Sequence, residues 1–117
     1  MAFKFENLKV WQRAIELSGE IYELTESFPK KELYVITSQL QRASDSISLH
    51  IAEGSTGQTN PEFKRFLAIA LRSAIEVVRC LHLGKRRKII ADERFEYFYQ
   101  FLTGLIKSIQ ALRNSIR

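Results

Sequence analysis

Apolar residues recur at alternating steps of three and four through four stretches of the chain, and the segments between them are short and rich in turn formers. The first stretch predicts a helix over residues 8–27, opened by Asn7 as N-cap and stopped by Phe28 and Pro29. Leu8, Trp11, Ile15, Ser18 and Tyr22 form one stripe on it, and Val10, Ala14, Leu17, Ile21 and Leu24 extend that stripe far round the helix. A second helix is predicted over residues 32–53, with Gly54 as the left-handed residue that closes it. Its core stripe reads Leu33, Ile36, Leu40, Ala43, Ile47 and His50, flanked by small residues and by a row of Gln39, Arg42, Ser46, His50 and Glu53. Such a row needs partners on neighbouring helices or another subunit. After the turn Ser55–Asn60, Asn60 and Pro61 open a third helix over residues 61–83, whose core stripe is Phe63, Phe66, Ala70, Ala74, Val77 and Leu81 and which Gly84 breaks. The fourth, over residues 92–116, has the cleanest pattern: Phe95, Phe98, Leu102, Leu105, Ile109, Leu112 and Ile116.

Four helices and no strand pattern in 117 residues predict one all-α domain spanning residues 1–117, an antiparallel up-down four-helix bundle. The first and fourth helices each show a second uncharged face, wider than one bundle core requires. Another copy of the chain is the simplest cover, with Leu17, Leu24, Tyr97, Phe101 and Gly104 expected at the contact.

A family resemblance rests on specific residues. FENLKVWQ at Phe5–Gln12, FP at Phe28 and Pro29, then Glu32, Gln39, Arg42, Ala43 and Ser46, IAEG at Ile51–Gly54 and EFKRFLAIA at Glu62–Ala70 resemble the four-helix-bundle proteins encoded in intervening sequences of 23S ribosomal RNA genes, also labelled S23 ribosomal proteins. The resemblance covers nearly the whole chain. It implies a ring-shaped homopentamer in a bacterial cytoplasm, similar in fold to the accessory protein of diversity-generating retroelements, with nucleic acid, ribosomal RNA included, as a partner and no enzymatic activity. Two positions depart from the family pattern. His50 stands where asparagine usually precedes IAEG, and Arg72 stands where glycine usually precedes the serine at Ser73, adding a positive charge.

Charge gives the function its direction. The chain carries 18 Lys and Arg against 13 Asp and Glu, a net +5. Residues 61–90 alone hold more than that excess. Arg65, Arg72, Arg79 and Arg86 recur every seventh residue, a spacing that advances about 10.5 Å and drifts only about 20° round a helix, so they project as a ladder. Lys85, Arg86, Arg87 and Lys88 follow in a run, and together these cations suit successive phosphates of a nucleic-acid backbone.

Other chemistry is thin. His50 and Glu53 stand one turn apart, but with only Cys80 and His82 as further soft donors no metal site is expected. Cys80 itself reads as a small buried hydrophobe, and a lone cysteine forms no intrachain disulfide. No phosphate-binding glycine loop, nucleophile elbow or paired-carboxylate constellation is present, so neither cofactor, small-molecule substrate nor enzymatic activity is expected. The first ten residues lack a secretory apolar run and no segment reaches the roughly 18 apolar residues of a membrane span, which predicts a cytoplasmic protein. The sequence therefore supports a non-enzymatic, oligomeric bundle that binds RNA or DNA, with an oligomeric scaffold for a protein partner as the alternative.

Overall fold

The computed structural model describes residues 3–57 and 59–117. Four α-helices carry the fold: α1 (Lys9–Thr25), α2 (Ser38–Gly54), α3 (Asn60–Arg86) and α4 (Asp92–Ser115). They run up and down as an antiparallel bundle 43 Å long and about 22 Å across, with α2 and α3 packed most extensively.

Local chemistry sets the helix ends. Asn7 is not the first cap: it closes a single 3-10 turn, Lys4–Asn7, and extended Leu8 starts α1. Thr59, not Asn60, caps α3, its hydroxyl accepting from the Glu62 amide at 3.3 Å, with Pro61 in the first turn where its missing N–H costs nothing. Gln58 of the predicted turn lies outside the described residues.

The second predicted helix departs most from expectation. Lys30–Glu32 is a 3-10 turn and Leu33–Thr37 a single π turn, in which the Ser38 amide reaches back five residues to the Leu33 carbonyl. The π turn takes up one extra residue and rotates whatever precedes it off the stripe. Leu33 is accordingly exposed while Ile36, Leu40, Ala43, Ile47 and Ile51 fill the core, and the Thr37 hydroxyl is buried without a partner.

Two glycines stand where the sequence predicts helix ends, and only one is an end. Gly54 is the last residue of α2, as expected, but it is not left-handed and it is buried; a Cβ there would stand 2.7 Å from the Phe66 Cβ and 3.0 Å from the Phe63 ring, so α2 and α3 touch backbone to side chain at this point. Gly84 lies inside α3, where a Cβ would meet the Ile90 side chain at 2.5 Å. Among the described residues the left-handed ones are Gly57, at φ 89°, and Lys88, at φ 61°.

The core takes Val10, Ala14, Leu17, Ile21 and Leu24 from α1, and Phe95, Phe98, Leu102, Leu105 and Ile109 from α4. Leu17, Leu24 and Phe101, expected at a contact between copies, are thus buried in their own chain; of that set only Tyr97 and Gly104 stay exposed. The outward stripe of α1 carries Ile15 and Tyr22. Tyr22 donates to Asp45 of α2 at 3.2 Å, and Ser18 donates to the same carboxylate. The Asp45 charge is the main reason the Tyr22 phenol is held above its ordinary pKa. One turn beyond Asp45, Leu49 is 66% exposed.

Candidate nucleic-acid interface

α3 is the element that builds the candidate interface, because it is unbroken for 27 residues and places its arginines at a seven-residue spacing on its exposed face. Arg65, Arg72, Arg79 and Arg86 are all exposed, and Arg86 still lies in helix. From the first to the last the row covers about 31 Å. Arg65 is tied to Glu62 at 2.8 Å and stacks its guanidinium over Phe66 at 4.6 Å. Among the described residues Arg72, Arg79 and Arg86 form no ion pair, although Glu76 stands between Arg72 and Arg79 in the same shallow cleft with Ile69, Ser73 and Ile75.

The run Lys85–Lys88 does not continue this row as one strip. Consecutive helical residues diverge by about 100°, and the helix end scatters them further. Lys85 turns towards α4 and lies 4.5 Å over the Phe95 ring, Arg86 stays with the ladder, and Arg87 reaches Glu32 at 3.5 Å across the end of the bundle. Lys88 occupies the left-handed position after the helix, its amide bonded to the Lys85 carbonyl at 3.0 Å and the next amide, Ile89, to the Gly84 carbonyl at 2.9 Å. Both bonds match the Schellman closure, in which glycine normally holds that place. A lysine there costs about 1 kcal/mol of backbone strain, so Lys88→Gly is expected to raise thermal stability by that order while removing one cation. A urea melt of the two proteins measures it.

Three members of the polar row on α2 have partners: Ser46 and Gln39 on α3, and His50 within α2 itself. Ser46 sits 2.9 Å from the Ser73 hydroxyl and 2.9 Å from His50 Nδ1, and the same His50 nitrogen lies 2.8 Å from the Ser46 carbonyl. The His50 ring stacks on Phe66 with centroids 6.0 Å apart. Gln39 Oε1 accepts from the Cys80 thiol at 3.8 Å. Arg42 and Glu53 face outwards, and Arg42 joins Gln39, Ala43, Ser46 and Glu76 around an open cleft of about 460 Å³. Cys80 is buried, as its place in the stripe predicts; burial first, and the Glu76 charge second, push its thiol above the ordinary value, which leaves it unreactive at neutral pH. Among the described residues no three His, Cys, Asp or Glu gather as a metal site would require, and no helix is long and apolar enough to cross a membrane.

Three contributors escape a reading of α3 alone. Lys64 and Arg65 meet Arg113 and Arg117 of α4 around a cleft with Pro61 and Ala68, and Arg113 Nε donates to the Lys64 carbonyl at 3.1 Å. Antiparallel pairing of α3 with α4 is the signal that would have found this, since it sets the start of one beside the end of the other. The second is the partner of Ser73, since only the packing of α2 on α3 brings Ser46 to it, and the third is the exposed segment Leu33–Val35. On the far side, between α1 and α4, Glu16, Glu20, Glu93 and Glu96 line a cleft with Arg13 and Tyr97, so the bundle is acidic where it is not basic.

Curated proteins offer no significant match to the chain. Among solved structures, a protein of unknown function from the S23 ribosomal protein family of Bacteroides thetaiotaomicron superimposes with a TM-score of 0.83 at 25% identity, covering 90% of this chain and 95% of that one. The sequence profile of the 23S rRNA-intervening sequence proteins matches residues 6–111, nearly the full length of the bundle just described, and the chain belongs to that family.

Proposed function

We propose that this protein is a non-enzymatic binder of nucleic-acid backbone, acting in the cytoplasm as a ring of identical copies. The observation that carries the reading is the unbroken α3 with Arg72, Arg79 and Arg86 exposed, aligned and free of ion pairs among the described residues. The full row from Arg65 to Arg86 spans about 31 Å, close to one helical turn of duplex, 34–36 Å, so a single copy can follow phosphates along one groove edge. Arg113 and Arg117 lengthen the basic surface at the start of α3, and Lys85 and Lys88 widen it at the end. Contacts of this kind position a protein on a polymer without reading its sequence. The family's name, which refers to 23S rRNA, makes structured RNA the first polymer to try.

Assembly multiplies the effect. Exposed Ile15, Tyr22 and Leu49 leave apolar surface on α1 and α2, helices other than the one that carries the ladder, where another copy can cover it. Several ladders on one ring would turn modest single-site affinity into avidity. The same apolar surface also favours the second reading, a scaffold whose cover is a different protein. Salt separates the two. Fluorescence anisotropy of labelled structured RNA and duplex DNA should show log affinity falling against log salt with a slope of about −3 to −5, as three to five neutralised phosphates require. Absence of binding at low salt, with the protein folded, would exclude the nucleic-acid reading and leave the scaffold.

A further inference from the structure

The end of the bundle where Arg87 meets Glu32 carries an apolar feature that no core packing explains. Leu33, Tyr34 and Val35 follow one another in the π turn and all are exposed, at 47%, 89% and 46%. Tyr34 is thus the least covered large hydrophobic side chain among the described residues. Nothing in the chain's own packing requires a phenol ring in water at this point. A single π turn inside a helix is also a common mark of a functional site, because it places a side chain where regular helix would not.

The surroundings decide what the ring is for. Tyr34 stands two residues past Glu32, whose carboxylate is 3.5 Å from Arg87, and Lys31, Arg87 and Lys88 line one cleft of about 400 Å³ with Pro29 and Glu32. Tyr34 does not line that cleft but follows its residues Lys31 and Glu32 along the chain. Lysine is depleted at protein–protein contacts, whereas an exposed aromatic ring at the margin of a cationic cleft suits single-stranded nucleic acid: phosphates on the cations, a base face on the ring. We infer that Tyr34 is a stacking platform for an unpaired base, flanked by phosphate contacts to Lys31, Arg87 and Lys88, so that the polymer preferred is one with a loop or a single-stranded end. This rests on the nucleic-acid reading above and narrows it. Duplex bases are stacked on one another and offer no face to a tyrosine; loop bases do. The ladder on α3 then holds a stem while the π turn takes the nucleotide beyond it.

The test compares an RNA hairpin carrying an unpaired loop with a blunt duplex of the same phosphate number, by anisotropy, for the unmodified protein, Tyr34→Ala and Tyr34→Phe. The unmodified protein should prefer the hairpin. Tyr34→Ala should lose about five- to hundredfold on the hairpin, the range that stacking of one base commands, and little on the duplex, with the salt slope unchanged because no charge is removed. Tyr34→Phe should bind as the unmodified protein does. Equal loss on both ligands, no loss on either, or a changed assembly size of Tyr34→Ala in light scattering would overturn the inference while leaving salt-sensitive duplex binding intact. Failure of the unmodified protein to bind either ligand at low salt would overturn the nucleic-acid reading, and this inference with it.

Discussion

Replacing Arg72, Arg79 and Arg86 together by glutamine is expected to flatten the salt dependence of nucleic-acid binding by about three in slope, because each cation that meets a phosphate contributes about one. At 50 mM salt the affinity should fall on the order of a hundredfold, and the loss should shrink as salt rises and screens the interactions that remain. The fold should survive. All three side chains are exposed and unpaired among the described residues, so their removal leaves no buried charge and breaks no ion pair. Each exchange removes one charge, taking the formal net charge from +5 to +2. A control at Arg65 separates position from charge. Because Glu62 already holds Arg65, Arg65→Gln should lower the slope by less than one. If the triple variant binds with an unchanged slope, the α3 face is not the contact.

The second large effect concerns packing. Gly54→Leu is expected to destabilise the bundle by at least about 3 kcal/mol, a sizeable share of the roughly 5–15 kcal/mol that holds a typical domain together. The atom in the way is the Cβ of Phe66, which is fixed to the α3 backbone and cannot swing aside, so a side chain at Gly54 must push α2 and α3 apart along their tightest contact. Gly54→Ala meets the same obstacle at 2.7 Å, and the gain in helix propensity, about 1 kcal/mol, should not offset it. Gly104, in α4, has nothing within 4 Å of its would-be Cβ. There Gly→Ala should stabilise the isolated chain by about 0.5–1 kcal/mol. Opposite signs at the two glycines, read from urea midpoints, are the expected outcome; destabilisation at both would point to a neighbouring copy packed over Gly104.

Gly54 and Gly84 show where sequence stops informing. Glycine after an apolar run reads as a helix end, and only the packed neighbours, Phe66 and Ile90, reveal that each glycine also lets a side chain approach. The period of α4 was legible because every third or fourth residue is large and apolar and nothing competes. In α1 two apolar stripes compete, so the sequence could not say that Leu17 and Leu24 point inwards while Ile15 and Tyr22 do not. The ladder was legible since a seven-residue spacing survives any small error in helix ends. The fan of Lys85–Lys88 was not, because adjacent letters in a sequence look contiguous and adjacent side chains on a helix do not. The π turn left no trace in the apolar period, which Leu33 continues.

That turn has a consequence for how the surface can change over generations. Removing one residue from Leu33–Thr37 would let α2 continue upstream in regular register and swing the preceding turn by about 100°, carrying Leu33 inwards and re-aiming Tyr34 without any substitution. A single-codon deletion, usually read as damage, would here exchange one exposed surface for another at the entry to α2 on an unchanged bundle. The extra residue works as a removable spacer, and the two ends of the molecule can diversify on different clocks: α3 by substitution of charge, the entry to α2 by gain or loss of length.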